Sequence, residues 1–178
     1  MRELTSLALP LGRPSNGQQM IGSDHSDGEE DLALSAPLII YASETGTSQD
    51  IACSIHRHLL LHSAHPPDCP PPLPISIQAF DHLTLPSLAT TPIIFVVSTT
   101  GNGEPPRHLR PLWNMLLRKD LPDDILDDVS FTVFGVGDSG YERFNWAGKI
   151  LRRRLLGLGG VEFMESAEWW ADERAGGG

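Results

Sequence analysis

The chain is 178 residues long, 40% hydrophobic and 20% charged, with a formal net charge of −10. That length suits one domain, or one domain with a tail. The acidity argues against a nucleic-acid partner, whose phosphates call for basic surface, and no apolar run reaches the roughly eighteen residues needed to span a bilayer.

Residues 1–36 read as a disordered acidic arm. Gly, Ser, Pro and Gln surround the acids Asp24, Asp27, Glu29, Glu30 and Asp31 without a sustained period. The first residues, MRELTSLALPLGRPS, hold only a short apolar stretch broken by Pro10, and Glu3 is out of place in a transit peptide, so the expected location is cytoplasmic. Two cysteines, Cys53 and Cys69, are too few for a disulfide framework or a four-thiolate cluster.

From residue 37 the pattern changes. Short continuous apolar runs, LIIYA (38–42), IIFVV (93–97) and FTVFGV (131–136), have the length and β-branched content of strands buried on both faces. ISIQAF (75–80) and VEFME (161–165) alternate and suit strands nearer an edge. Between them lie helical stripes. Ile51, Ile55 and Leu59 follow a Thr47-x-x-Asp50 entry that resembles a capping box. Leu109, Leu112, Trp113, Leu116 and Leu117 form a second stripe, in which Pro111 requires the helix to begin earlier, near Pro105–Pro106. Ile150, Leu151, Leu155 and Leu158 form a third, ended by Gly157, Gly159 and Gly160. The proline-dense HPPDCPPPLP (65–74) reads as a connection into the second strand. Strands alternating with helices imply right-handed crossovers and a doubly wound α/β sheet.

In such a sheet ligands bind outside the carboxyl ends of the strands, where strand order reverses. Three strand exits are rich in hydroxyl, Gly and small polar residues: SETGTS (43–48), STTGNGEPP (98–106) and GDSGYERFN (137–145). The first opens into a helix, whose N-terminal amides and partial positive charge suit a phosphate. Gly46 lets the backbone approach, and hydroxyls stand at Ser43, Thr45, Thr47 and Ser48. An N-capped helix after a Ser/Thr-rich turn remains the plainer alternative. The Walker pattern GxxxxGK[ST] is absent and the loop holds no Lys or Arg, which disfavours a triphosphate with Mg²⁺. GVGDSG (135–140) matches GxGxxG, but Asp138 would repel a pyrophosphate and the unit is the fourth strand rather than the first. A monophosphate on a planar ring fits best, with Tyr141 offering a stacking face and Gly101, Gly103 and Gly137 admitting close main-chain approach. Asn145 is expected to fix the third loop or cap the following helix.

The segments YASETGTSQD (41–50), FVVSTTGNGEPP (95–106), LRKDLP (117–122) and VFGVGDSGYERFNWAGKILRRRLLGLGG (133–160) resemble the flavodoxin-like FMN domain of diflavin reductases, above all those of cytosolic iron–sulfur assembly. The resemblance implies a five-stranded parallel sheet in order 2-1-3-4-5 with FMN at the switch point. Carried over residue by residue, it assigns the FMN phosphate to Ser43, Glu44, Thr45, Gly46, Thr47 and Ser48. The isoalloxazine falls between Ser98, Thr99, Thr100 and Gly101 on one side and Val136, Gly137, Asp138, Ser139, Gly140, Tyr141, Glu142, Arg143, Phe144 and Asn145 on the other, with Tyr141 stacked on it. Asp172 matches an acidic cofactor contact after the fifth strand. No catalytic acid, base or nucleophile is implied.

The family pattern continues into a final helix, an FAD domain and an NADPH domain. The expectation is therefore a flavodoxin-like domain over 37–178, truncated before its last helix. The implied function is relay of electrons from an FAD/NADPH reductase domain, absent from this chain, to an iron–sulfur acceptor protein. The rival is a non-catalytic interaction domain of the same fold without stable cofactor. Three further features read as surface: the acids Asp120, Asp123, Asp124, Asp127 and Asp128, which could also steer a basic partner; the histidines His56, His58, His62 and His65, a polar helix face rather than a metal site; and Arg152, Arg153 and Arg154, expected to face water.

Overall fold

A computed structural model describes residues 36–62, 70–100, 103–140, 142–164 and 167–170, the last four by their backbone. The expected arm thus lies outside the described residues save for Ala36, as do His65, Cys69, Gly101, Tyr141 and Asp172. The elements follow in the order β1 (Leu38–Ala42), α1 (Thr47–His62), β2 (Ile75–Ser76), a 3-10 turn (His82–Ser87), β3 (Ile93–Ser98), a second 3-10 turn (Arg107–Leu109), α2 (Arg110–Leu116), β4 (Ser130–Gly137), α3 (Trp146–Leu156), β5 (Val161–Glu162) and β6 (Ala167–Trp170). Every described strand pairing is parallel, in the order β2-β1-β3-β4-β5, with β6 also on β4.

β3 shows why its run is unbroken by polar residues. Every residue of Ile93–Ser98 is buried. Ile93, Phe95 and Val97 join a large cluster with Leu109, Leu112 and Leu116 of the α2 region and Leu151 and Leu155 of α3. Ile94 and Val96 point the other way, to Ala52, Ile51, Ile55 and Leu59 of α1. Successive side chains of a strand alternate between faces, so a strand covered on both sides must be apolar throughout.

β2 is shorter than its alternation predicts. After Ser76 the Ile77 N–H donates to Tyr41 O at 2.8 Å, and the Ala79 and Phe80 amides then both turn back to Ser76 O. Ile77 and Phe80 are both buried in the α2/α3-side cluster. They are three residues apart, a spacing that a turn satisfies and a strand does not.

The fifth strand is split. Phe131 pairs with Glu162 and Phe134 with Ala167, three steps on β4 against five on its neighbour, so the neighbour carries two residues more than the ladder can pair. The interruption is anchored by Phe163 N–H on Phe131 O, 3.1 Å, and by the buried Thr132, whose Oγ1 donates to Met164 O at 2.9 Å.

Pro111 falls in the first turn of α2 with the 3-10 turn ahead of it, as its ring requires. Two of the three consecutive arginines do not face water in the sense expected. Arg152 makes a bidentate pair with Glu162 of β5, with contacts of 2.6 and 2.9 Å, and Arg154 Nε donates to Leu116 O at 2.6 Å. The second contact satisfies a carbonyl that the end of α2 leaves without a helical partner. Arg153 is exposed. On α1, His58 and His62 stack with ring centroids 4.1 Å apart, while His56 is buried.

Leu151 is fully buried where α3 packs on the sheet. Leu151→Ala is expected to cost about 2–5 kcal/mol by the lost transfer energy and the cavity left behind. Urea unfolding checks this through a lower midpoint at unchanged slope.

Candidate functional site

The chain leaves β1 for the outer β2 and then crosses back to β3, so strand order reverses between β1 and β3. The exits of β1, β3 and β4 open on the same edge of the sheet because all three strands are parallel and in register: Ala42 lies opposite Val97, and Ser98 opposite Val136. The described residues of 43–48, 98–104 and 137–145 are thereby gathered at one switch point.

The first loop is wound around Ser43. Its Oγ accepts the Gly46 amide at 2.9 Å and the Ser48 amide at 3.3 Å, and the first helical bond of α1 follows, from Asp50 N–H to Gly46 O at 3.0 Å. The hydroxyl serving the entrance of α1 is thus Ser43's, in place of the Thr47 cap that the sequence suggests. Gly46 takes φ +100°, with open space where a Cβ would stand; this is backbone that L side chains rarely adopt. The side chains of Thr45 and Thr47 are exposed with hydroxyls 3.4 Å apart. Ser48 is fully buried, and its hydroxyl has no partner among the described residues. Glu44 turns away along the surface, and its Oε1 accepts the Arg107 amide at 2.6 Å.

The second loop uses its hydroxyls for architecture. Ser98 Oγ, buried, donates to Ala42 O of β1 at 3.2 Å. Thr99 N–H donates to Val136 O at 2.8 Å, and Thr99 Oγ1 accepts the Ala147 amide at 3.2 Å. Thr99 therefore caps α3 from another loop. Thr100 and Glu104 exchange backbone hydrogen bonds, each 2.9 Å, and Thr100 Oγ1 adds a third to Glu104 O at 3.1 Å. Gly101 lies outside the described residues.

In the third loop Asp138 Oδ1 accepts the Gly140 amide at 2.7 Å, closing a tight turn at Ser139. The described residues 138–140, 142 and 143 are exposed, Phe144 is half-buried and Val136 is buried. Lys149 Nζ sits 5.5 Å from the Phe144 ring centroid and donates to Phe144 O at 3.3 Å. The alkyl stem of Arg143 lies against Gly103, where an added Cβ would fall 2.5 Å from Arg143 Cδ. Tyr141 lies outside the described residues.

Asn145 departs most from the pattern around it. It adopts the left-handed conformation, φ 52° and ψ 25°, and precedes α3 without making a side-chain cap. Its side chain is instead turned inward beneath β4, 1% exposed, with Oδ1 where it would meet a Cβ at Gly137 at 2.8 Å. Both Nδ2 and Oδ1 lack partners among the described residues. A buried amide left so costs about 1–3 kcal/mol, and such groups in a folded site point to a partner supplied from elsewhere. Sequence reasoning placed Asn145 in the loop and missed two things, the capping role of Thr99 and the tie from Glu44. Both cross between loops far apart in the chain.

The chain is similar to known proteins over most of its described length. The model of the family described as Flavodoxin matches residues 39–175. Among curated proteins, "NADPH-dependent diflavin oxidoreductase 1" of Cryptococcus neoformans is 45% identical over 139 residues, covering 78% of this chain and 21% of that protein. The protein of the same name in Mycosarcoma maydis is 44% identical over 130 residues, covering 73% of this chain and 18% of that one. The chain thus spans about a fifth of the length of these relatives. Among solved structures, oxidised Flavodoxin 1 from Bacillus cereus superposes with a TM-score of 0.60 at 20% identity, covering 78% of this chain and 88% of that one. Strand order, the gathering of three loops at the switch point and the family match agree: the chain belongs to the flavodoxin family, whose cofactor is FMN.

Proposed function

We propose that this chain is an FMN-binding electron-transfer module that takes electrons from an FAD/NADPH reductase domain and delivers them to an iron–sulfur acceptor protein in the cytoplasm. The observation that carries the cofactor reading is the convergence of three polar strand exits on a cation-free helix entrance at the switch point. Electron transfer follows from the family and from the similarity to the diflavin oxidoreductases.

The residues present fit FMN. The 16-residue helix α1 aims its N-terminus at the first loop, where a phosphate gains from the helix dipole and unpaired amides. The exposed hydroxyls of Thr45 and Thr47 add donors, while Ser43 holds the loop in shape from within. Ser98 and Thr99 fix the second loop, and Thr100 follows at the edge of the site. The described residues of 136–145 form the third side, with Asn145 offering its unsatisfied amide; the resemblance assigns ring stacking to Tyr141, which lies outside the described residues. Asp172, outside the described residues, is assigned an acidic cofactor contact by the resemblance alone.

Bound FMN supplies the redox chemistry. The protein's own groups bind it, orient it and set the charge around it. Glu44, Glu104, Asp138 and Glu142 are exposed around the loops, and negative charge there disfavours the anionic reduced ring, which lowers the potential. The exposed acids Asp123, Asp124, Asp127 and Asp128 give a basic acceptor surface something to steer toward.

Titration of the purified chain with FMN is expected to produce bound-flavin absorbance and quenched fluorescence; a colourless protein that takes up no FMN yet binds an iron–sulfur protein would favour the cofactor-free interaction domain. Thr47→Glu, which sets a carboxylate at the phosphate loop, is expected to weaken FMN at least about a hundred-fold, read as a shifted titration midpoint. Tyr141→Ala is expected to restore much of the flavin fluorescence while phosphate-dependent binding persists.

A further inference from the structure

Glu44 is the only charged side chain among residues 43–48. A carboxylate in a phosphate-binding loop should oppose the ligand, yet here it has another task. Its Oε1 accepts the Arg107 N–H at 2.6 Å, 63 residues along the chain. Arg107 begins the 3-10 turn that leads into α2, after Pro106, whose ring nitrogen carries no hydrogen. The Arg107 amide is thus the first donor at that entrance, and its acceptor comes from the phosphate loop.

The segment between Arg107 and the second loop is stiff. Thr100 and Glu104 are locked by reciprocal backbone bonds and the Thr100 hydroxyl. Pro105 and Pro106 follow, each with φ fixed by its ring, and Pro106 sits at φ −53° and ψ 145°. A constraint applied at the Arg107 amide is therefore passed to Thr100 with little slack.

We propose that Glu44 is a positioning residue: its carboxylate, by holding the Arg107 amide, sets the distance between the loop that takes the phosphate and the loop that flanks the ring. This rests on the FMN reading above. A ligand that spans both loops gains from their fixed spacing, because the protein does not spend binding energy on arranging them. A ligand that uses one loop does not. The tie also holds the negative charge of Glu44 on a donor, turned from the phosphate.

The test is a set of titrations of the full chain with FMN and with riboflavin, which lacks the phosphate. Glu44→Ala is expected to weaken FMN about three- to ten-fold, the factor one net hydrogen bond commands, and to leave riboflavin affinity unchanged. Glu44→Gln keeps a carbonyl oxygen for the Arg107 amide and is expected to restore most of the loss. Arg107→Pro removes the donor at a helix-entry position that proline tolerates; it should reproduce the Glu44→Ala loss, and the double variant should be no worse than either single one. In the protein without FMN, amide exchange at Arg107 should quicken in Glu44→Ala.

If Glu44→Ala and Glu44→Gln both bind FMN as tightly as wild type, the carboxylate does not position the loops, and if both bind more tightly it acts by repulsion; either result overturns the proposal. Equal losses for FMN and riboflavin would mean general loosening and overturn it as well. Should Glu44→Ala not fold, Glu44→Gln and Arg107→Pro carry the same comparison. Wild-type protein that takes up no FMN would overturn the FMN reading and this inference together, whereas wild-type binding with unaffected variants removes only the inference.

Discussion

Double-sided burial of β3 is the constraint on which the remaining structure depends. Ile93, Phe95 and Val97 meet α2 and α3 on one face, while Ile94 and Val96 meet α1 on the other. Burying five large side chains at roughly 1.5–3 kcal/mol each fixes where β3 lies and which way each residue points. A slip of one residue would exchange the two faces. With β1 and β4 paired to it in register, the ends of all three strands are fixed, and so are the origins of the three loops.

Those origins explain why a site assembled from distant segments can be rigid. Each loop is held by another loop rather than by itself alone. Ser98 reaches Ala42 at the end of β1, Thr99 caps α3, and Glu44 holds Arg107. Arg143 lies along Gly103. The hydroxyls that make these segments look like ligand-binding sequence are partly spent on holding one loop to the next. That leaves the helix entrance, the exposed threonines and the buried Asn145 amide without a task in joining the loops.

Much of the fold was legible in the sequence because burial on two faces writes itself as an unbroken apolar run. The three central strands show this, and their edges in the structure differ from those runs by one residue at most. The helices were legible for the complementary reason, one apolar stripe each. What escaped detection has no local signal. β2 ends at Ser76 because Ile77 and Phe80 both reach the core, and only the shape of that core decides between a turn and a strand. The fifth strand breaks where Thr132 of β4 supplies a hydroxyl to Met164 O, a fact about its neighbour. Arg152 and Arg154 stand in a run of three like charges that reads as solvated, yet Glu162 and Leu116 O lie within their reach.

The candidate site was legible by composition and position, and less so by role. Small polar residues after three buried runs suffice to say which loops come together, since parallel strands must open on one edge. They do not say which hydroxyl is spent on the loop itself. Ser43 and Ser48 look alike in SETGTS, but Ser43 accepts two amides at the loop centre whereas Ser48 is buried without a described partner. The difference arises from the left-handed turn at Gly46, which wraps the chain back over Ser43 before α1 begins. Backbone conformation at one residue thus divides identical side chains into scaffold and solvent-shielded reserve, and the same holds at Asn145, where φ 52° turns inward an amide that would otherwise cap α3. In both loops a single backbone reversal at the entrance of the following helix decides which side chains turn inward, with their hydrogen bonding following from it.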